Sequence, residues 1–247
     1  IGIETYVAKT SRMEKGGKPG GNGHLVLLCK DYEGYKNLVQ LSSAGYLEGF
    51  YYKPRIDKEL LASHSKGLIA TSACLKGEVA YQLSCGNYEQ ALKEADDLSQ
   101  ILGKGNFYLE LMDHGIAEQK TVNEGLVRIS EELRIPVVAS NDVHYVEQSQ
   151  WRAHDALLCI QTQAFLSDQN RMRMATDQFY FKSFQEMEQV FSWIPQALSN
   201  TIEIAEKCSL KFDFDTYHLP RFDPPRGKTQ EEHLWELCLD GLRARYG

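Results

Sequence analysis

Hydrophobic positions along this chain follow two alternating patterns, short apolar runs typical of buried strands and longer stretches with helical spacing. The apolar, β-rich runs are residues 1–8, 24–30, 67–72, 106–112 and 135–140. Helical spacing occurs in residues 31–41, 57–64, 76–85, 88–102, 116–133, 148–160, 184–192, 195–207 and 230–245. Strands alternating with helices predict an α/β fold, with a mainly parallel sheet or barrel and the helices outside it, followed by a helical extension.

Capping residues and turn-forming segments mark where these elements begin and end. Asp31, Asp57 and Asn87 are of the types that cap helix N-termini, and Gly103 is of the type that ends a helix. The segment 222–230, FDPPRGKTQ, has the proline, glycine and polar content of a linker. We therefore expect a domain over residues 1–221 and a boundary at residue 222. The segment 15–23 is expected to be a loop for the same reason.

Composition and charge limit the classes of protein to consider. The 247 residues are 43% hydrophobic, which is ample for a core, and the net charge is −7. That negative charge argues against a surface that coats nucleic acid generally, although a local basic groove is compatible with it. The six cysteines include no C-x-x-C pair, and no apolar run is long enough to span a membrane. Reduced thiols, a cytoplasmic location and no membrane partner are expected.

Side chains suited to metal binding gather where several predicted strands end. In parallel α/β barrels the active site forms at the carboxyl ends of the strands. Asp142 and His144 follow the run at 135–140, and on a continued strand they would share one face with Cα atoms about 6.6 Å apart. The candidates at strand ends or within the first run are Glu4, Cys74, Asp113, His114, Asp142 and His144. Thiolate, imidazole and carboxylate together suit Zn²⁺, Mn²⁺ or Fe²⁺ better than Ca²⁺.

Each of these residues also has a plainer explanation. Cys74 alone is more often a small buried hydrophobe than a ligand. His114 could cap a helix or support a neighbouring ligand, and Glu4 could pair with a lysine. The spacing therefore favours Asp142 and His144 first, Cys74 next, and leaves the others open.

Several long segments resemble a known family. The segments GIETYV, GHLVLLCKDYEGYKNLVQLSSAGYLEGFYYKPRID, GLIATSACLKGEV, FYLELMDHG and IPVVASNDVHY resemble the PHP (polymerase and histidinol phosphatase) domain of bacterial DNA polymerase III alpha subunits. The later segments FYFKSFQEM and IPQALSNTIEIAEKCSLKFDF resemble its continuation towards the polymerase body. The resemblance implies a distorted β/α barrel that binds a cluster of divalent metal ions. It assigns residues 1–221 to a partial PHP domain and 222–247 to a linker and the start of the polymerase body.

The resemblance also implies a set of metal ligands. Carried over position by position, they are Glu4, His24, Cys74, Asp142 and His144. His24 enters the set through the resemblance alone, because it begins its apolar run, where the strand-end rule places no ligand. The family's first metal motif, a His-x-His followed by an Asp and another His, does not precede His24. We therefore expect an N-terminally truncated domain with about half of a metal site, inactive by itself.

For the longer parent protein, the resemblance implies a replicative DNA polymerase whose PHP domain acts as a 3′–5′ proofreading phosphodiesterase. The implied cofactors are a Zn²⁺, Mn²⁺ or Fe²⁺ cluster in this domain and Mg²⁺ for polymerisation elsewhere. The implied partners are DNA and other replisome subunits, such as the sliding clamp and a proofreading subunit. One alternative is a non-catalytic PHP module that supports the polymerase or docks another subunit. Another is a free phosphoesterase such as a histidinol phosphatase, which the helical extension at 184–245 disfavours.

A short basic turn is the candidate for contact with DNA. Lys53 and Arg55 in FYYKPRID are predicted to hold a DNA phosphate while Tyr51 or Tyr52 stacks on a base. A solvated basic turn over packed aromatic rings is an equally plain explanation.

Overall fold

The structure, a computed structural model, describes residues 1–16, 21–217, 219–225 and 227–247. Residues 17–20 of the expected loop and residue 226 of the expected linker lie outside the described residues. The chain divides into two compact units, Ile1–Lys211 and Phe212–Gly247. These two units are defined by compactness alone. The domain boundary expected at residue 222 therefore stays a prediction.

In the described part of the first unit, six strands form one mixed sheet in the order β3-β1-β2-β4-β5-β6. The strands are β1 (Gly2–Val7), β2 (Gly23–Cys29), β3 (Arg55–Ile56), β4 (Leu68–Thr71), β5 (Phe107–Leu111) and β6 (Val137–Ala139). The α/β class is confirmed, and the mainly parallel sheet is observed with one exception. β2 pairs antiparallel with both β1 and β4, whereas the other neighbouring strands pair in parallel.

Helices flank this sheet where helical spacing predicts them. In the first unit they are α1 (Tyr32–Leu47), α2 (Lys58–Ser63), α3 (Glu78–Ser84), α4 (Tyr88–Leu102), α5 (Ala117–Leu133), α6 (Trp151–Thr162), α7 (Phe184–Phe191) and α8 (Pro195–Lys207). Asp31 and Asp57 cap α1 and α2 through their side chains, as their residue types predict. Asn87 occupies the N-cap position of α4 but makes no capping hydrogen bond.

Burial explains the continuous apolar runs of the later strands. Every residue of β4, β5 and β6 is buried, so these strands have no solvent-facing side that would require alternating polar residues. β2 shows regular alternation instead, and its Leu25, Leu27 and Cys29 enter the core. Gly34 lets α1 begin close to the turn before β4, because a Cβ there would come within 1.9 Å of the Gly67 carbonyl oxygen.

The second unit contains α9 (Gln230–Tyr246). Thr229 and Glu232 form a reciprocal capping box that fixes its first turn. Among the described residues, no helix combines the length and apolar character needed to cross a membrane.

A buried ion pair anchors the segment after β1 to the start of α2. The Arg12 guanidinium contacts both carboxylate oxygens of Asp57 at 3.1 Å, and the backbone N–H groups of Arg12 and Leu60 also donate to that carboxylate. Burial by itself would raise the pKa of Asp57, but these hydrogen bonds and the Arg12 charge lower it below its ordinary value. The ionised form is therefore the one that stabilises the fold.

We predict that Asp57→Asn lowers the free energy of unfolding by about 1.5–3 kcal/mol at pH 7, since it removes charge-assisted hydrogen bonds. The pKa of Asp57 is depressed on folding, so its contribution is present above the unfolded value of 3.8 and is lost as pH falls through the folded value. Urea unfolding at several pH values should show the two proteins converging below about pH 4. The matched control is Asp31→Asn, a cap without an arginine partner, with an expected cost below about 0.5 kcal/mol. A difference that stays constant down to pH 2 contradicts this assignment.

Candidate metal centre

β2 runs in the direction opposite to β1 and β4, so its first residues lie at the end of the sheet where β1 and β4 finish. His24 pairs with Tyr6 in the β1–β2 register, and its backbone N–H donates to the Lys76 carbonyl at 3.0 Å. Its ring packs edge-on against Tyr6 with ring centres 4.9 Å apart. The strand-end rule missed His24 because it assumes parallel strands. In an antiparallel strand, the beginning rather than the end lies at this edge.

A carboxylate and a thiol converge on the His24 ring. Oε1 of Glu4 lies 2.6 Å from Nδ1 of His24, and Sγ of Cys74 lies 3.9 Å from the same nitrogen. The His24 side chain is 13% exposed, whereas that of Glu4 is 50% exposed and opens the group to solvent. A carboxylate and a thiol from two other segments thus both approach one nitrogen of this imidazole.

The electrostatics of this group favour positive charge. Hydrogen bonds to Cys74 and Glu4 raise the pKa of His24 to about 9, against the opposing effect of burial. The hydrogen bond with His24 in turn lowers the pKa of Glu4 against the effect of burial, and electrostatic contributions from His24, His144 and Lys76 act in the same direction. Around neutral pH, without a metal ion, a proton on His24 therefore sits between the two acidic groups. Carboxylate, imidazole and thiolate are the ligand types that Zn²⁺ and related cations take.

Asp142 and His144 lie side by side, but for a reason different from the one the sequence suggested. The strand does not continue, since β6 ends at Ala139 and Asp142 has a left-handed backbone with φ +40°. The same-face argument from extended geometry is therefore wrong for this pair. A tight turn brings Nδ1 of His144 to 4.0 Å from Oδ1 of Asp142 and to 2.6 Å from the Asp142 carbonyl oxygen. A carbonyl only accepts, so Nδ1 carries the proton and the Nε2 lone pair is left available as a ligand.

These two groups of donors fit a divalent metal in chemistry and supply part of a ligand set. His144 contributes electrostatically to the lowered pKa of Glu4. Within the described ranges, no three His, Cys, Asp or Glu side chains are arranged closely enough to hold one ion. The sequence-based ligand set therefore stays a prediction.

Two buried polar residues, His114 and Glu110, lie next to the loop that carries Asp142. His114 is 1% exposed; its Nδ1 accepts from Nε2 of Gln119 at 2.8 Å, and its Nε2 donates to the Asn141 carbonyl at 3.0 Å. Both ring nitrogens are occupied, so His114 supports the loop that carries Asp142, as the second sequence interpretation of this residue allowed. Sequence reasoning overlooked Glu110, a buried carboxylate next to this loop, although a charge inside the apolar run FYLELM signalled it.

The two basic candidates for DNA contact have different surroundings. Arg55 is 5% exposed, and its guanidinium donates to the carbonyls of Gly49, Arg12 and Glu14 at 2.8–3.0 Å. These bonds give Arg55 an internal structural role, and its contact with DNA stays a prediction without support from this position. Lys53 is exposed, and lines a cleft of about 480 Å³ that also reaches His24. The lysines and aromatic side chains of that cleft are Lys9, Lys53, Lys76, Tyr6, Tyr51 and Tyr52.

Comparison with known proteins identifies the family that this chain resembles. The PHP domain family matches residues 1–114. Over 250 residues, the chain is 46% identical to the DNA polymerase III subunit alpha of Borreliella burgdorferi. This alignment covers all of this chain and 22% of that protein. The corresponding subunits of Treponema pallidum and Thermus aquaticus are each 41% identical, again over the whole chain and over 21% of the relative.

The similarity covers the helices after the sheet as well as the sheet itself, since the alignments with these three relatives include the whole chain. The chain spans about a fifth of the length of these relatives. It therefore belongs to the DNA polymerase III alpha subunit family and comprises the PHP-domain region of such a subunit.

Proposed function

We propose that this region is the metal-binding PHP module of a replicative DNA polymerase and acts as its 3′–5′ proofreading phosphodiesterase. The observation that carries the proposal is the convergence of Glu4 and Cys74 on one nitrogen of His24, at the sheet edge beside an open cleft. Three metal-competent side chains from separate segments, at a site that favours positive charge, are unusual for a purely structural edge. The proposed ligands are Glu4, His24, Cys74, Asp142 and His144.

Each residue has a role that follows from its position. Glu4 and Cys74 provide the negative charge that offsets bound cations, and neutral imidazoles from His24 and His144 ligate without adding charge. The chemistry that divalent cations supply in such sites is activation of water near neutral pH and stabilisation of charge on the attacking and leaving oxygens. The hydrogen bond from Nδ1 of His144 to the Asp142 carbonyl orients the ring and leaves the Nε2 lone pair available to ligate a metal.

The cleft beside His24 is the proposed path of the DNA strand. Lys9, Lys53 and Lys76 are exposed along it and provide phosphate contacts, while the exposed Tyr52 offers a ring face for a base. This local basic lining accommodates DNA although the chain as a whole is acidic.

For the parent protein, the similarity to DNA polymerase III alpha subunits supports DNA-directed polymerisation with Mg²⁺. DNA and other replisome subunits, such as the sliding clamp and a proofreading subunit, are the proposed partners. Polymerisation and docking of other replisome subunits are assigned to no residue described here. A free phosphoesterase is disfavoured because the alignments continue through α9. The competing proposal is a structural PHP module in which metal serves stability alone.

We predict that Cys74→Ser weakens binding of Co²⁺ to this chain by more than the roughly 10- to 100-fold typical of losing an outer-shell partner. Titration followed by the thiolate–Co²⁺ absorption band measures both affinity and sulfur ligation. Cys85→Ser is the matched control, because Cys85 is exposed at the end of α3. An unchanged band in Cys74→Ser would remove Cys74 from the ligand set.

In the full-length subunit, we predict that His144→Ala and Asp142→Asn abolish metal-dependent 3′–5′ digestion and preserve primer extension. The first change removes a ligand, and the second removes negative charge with little change in volume. Both activities are measured on the same preparations with Mn²⁺ or Zn²⁺. His64→Ala is the control, since Nδ1 of His64 is hydrogen-bonded to the neighbouring Ser63 and to Leu60 of the same helix turn. Loss of both activities together with a large fall in Tm would support the structural module instead.

We predict that Lys53→Ala weakens binding of single-stranded DNA and makes the plot of log affinity against log salt shallower by about 0.7, the value for one lost phosphate contact. Fluorescence anisotropy at several salt concentrations measures both. Lys66→Ala removes a comparably exposed lysine that pairs with Glu33 instead of lining the cleft. Equal salt slopes for the two variants would eliminate Lys53 as a phosphate contact.

A further inference from the structure

The buried carboxylate of Glu110 joins the two loops that carry the proposed ligands. Glu110 lies on β5 and is 8% exposed. The Thr71 hydroxyl donates to its Oε2, and the Ser140 hydroxyl donates to its Oε1. Thr71 is three residues before Cys74, and Ser140 is two residues before Asp142. One carboxylate therefore touches the polypeptide just upstream of both donor groups.

Further bonds hold the Cys74 loop against β5. The Glu110 backbone N–H donates to Oγ of Ser72 at 2.8 Å. Burial raises the pKa of the Glu110 carboxyl, and hydrogen bonds from Ser140, Thr71 and the backbone N–H of Ala73 oppose that shift. Ala73 and Cys74 also line a cavity of about 10 Å³ together with Glu110. A cavity of that size is at the lower limit for one water molecule, so water has little room to replace a lost partner.

Both loops contain a residue in a backbone conformation that non-glycine residues seldom adopt. Ala73, directly before Cys74, has φ +59°, and Asp142 has φ +40°. Such conformations persist only where the surroundings enforce them. The hydrogen bonds from Thr71 and Ser140 to Glu110 fix the backbone just before Ala73 and just before Asp142. The bond from His114 to the Asn141 carbonyl fixes the backbone before Asp142 a second time.

We propose that Glu110 is a positioning residue, which holds the Cys74 loop and the Asp142–His144 turn at the separation that lets their side chains bind the same metal cluster. The inference rests on the proposed function as far as metal is concerned. Its structural content, that one carboxylate couples the two loops, is independent of any metal. Burial makes Glu110 suited to this role, because a buried carboxylate without its hydroxyl donors would be costly.

The test compares Glu110→Gln with Tyr108→Phe in this chain. Tyr108 is on the same strand and the same face as Glu110 and is fully buried, but its hydroxyl contacts Glu203 and Lys207 instead of the two loops. Glu110→Gln keeps the volume and replaces one of the two acceptor oxygens with an NH₂ donor, so one of the two hydroxyl groups loses its acceptor. We expect faster hydrogen–deuterium exchange at residues 140–144 and about 10-fold weaker Co²⁺ binding in Glu110→Gln, as for other outer-shell losses. Tyr108→Phe should match the wild type in both measurements even where its Tm falls.

A second pair of variants tests coupling across Glu110. Thr71→Val removes the hydroxyl from the Cys74 side with almost no change in shape, and it should accelerate exchange at residues 140–144 on the other side. Thr71→Ser keeps the hydroxyl and should restore wild-type exchange. Exchange at residues 140–144 that is unchanged in both Glu110→Gln and Thr71→Val overturns the inference. Failure of the wild type to bind Co²⁺ would contradict the proposed function, while the exchange measurements would still decide the role of Glu110.

Discussion

β2 runs antiparallel to both of its neighbours, and the position of the candidate metal centre depends on that reversal. The register pairs His24 with Tyr6 and Val26 with Thr71, so the start of β2 lies where β1 and β4 end. In a parallel arrangement, the seven residues of β2 would carry His24 about 20 Å to the opposite edge. Neither Glu4 nor Cys74 could then approach its ring.

The close approach of Glu4 and Cys74 to His24 changes the pKa of the imidazole. Their effect on the imidazole is large enough to raise the pKa of His24 to about 9 despite burial. A proton held this tightly on His24 competes with a metal ion at neutral pH. The negative environment that holds the proton is also the one that a divalent cation needs. The proposed metal role therefore rests on charge and donor type as much as on distance.

The region behind the site is polar, buried and almost completely hydrogen-bonded. Glu110 satisfies two hydroxyl groups, and both ring nitrogens of His114 have partners. Buried polar groups need such partners, and a network of this kind defines loop geometry more narrowly than apolar packing does. This rigidity accounts for the left-handed conformations of Ala73 and Asp142 beside the proposed ligands.

Apolar spacing and capping residues in the sequence were sufficient to predict the α/β class, the five longer strands and the helices, because periodicity and local capping are short-range properties. The resemblance supplied His24, which spacing would have excluded. The two-residue strand β3, the reversal of β2 and the end of β6 before Asp142 depended on pairing between distant segments. Likewise, the sequence placed Arg55 on a basic turn, and only tertiary packing buried its guanidinium against three carbonyls. The residue types of the site were thus determined locally, whereas their convergence was decided by strand direction, which no local pattern encodes.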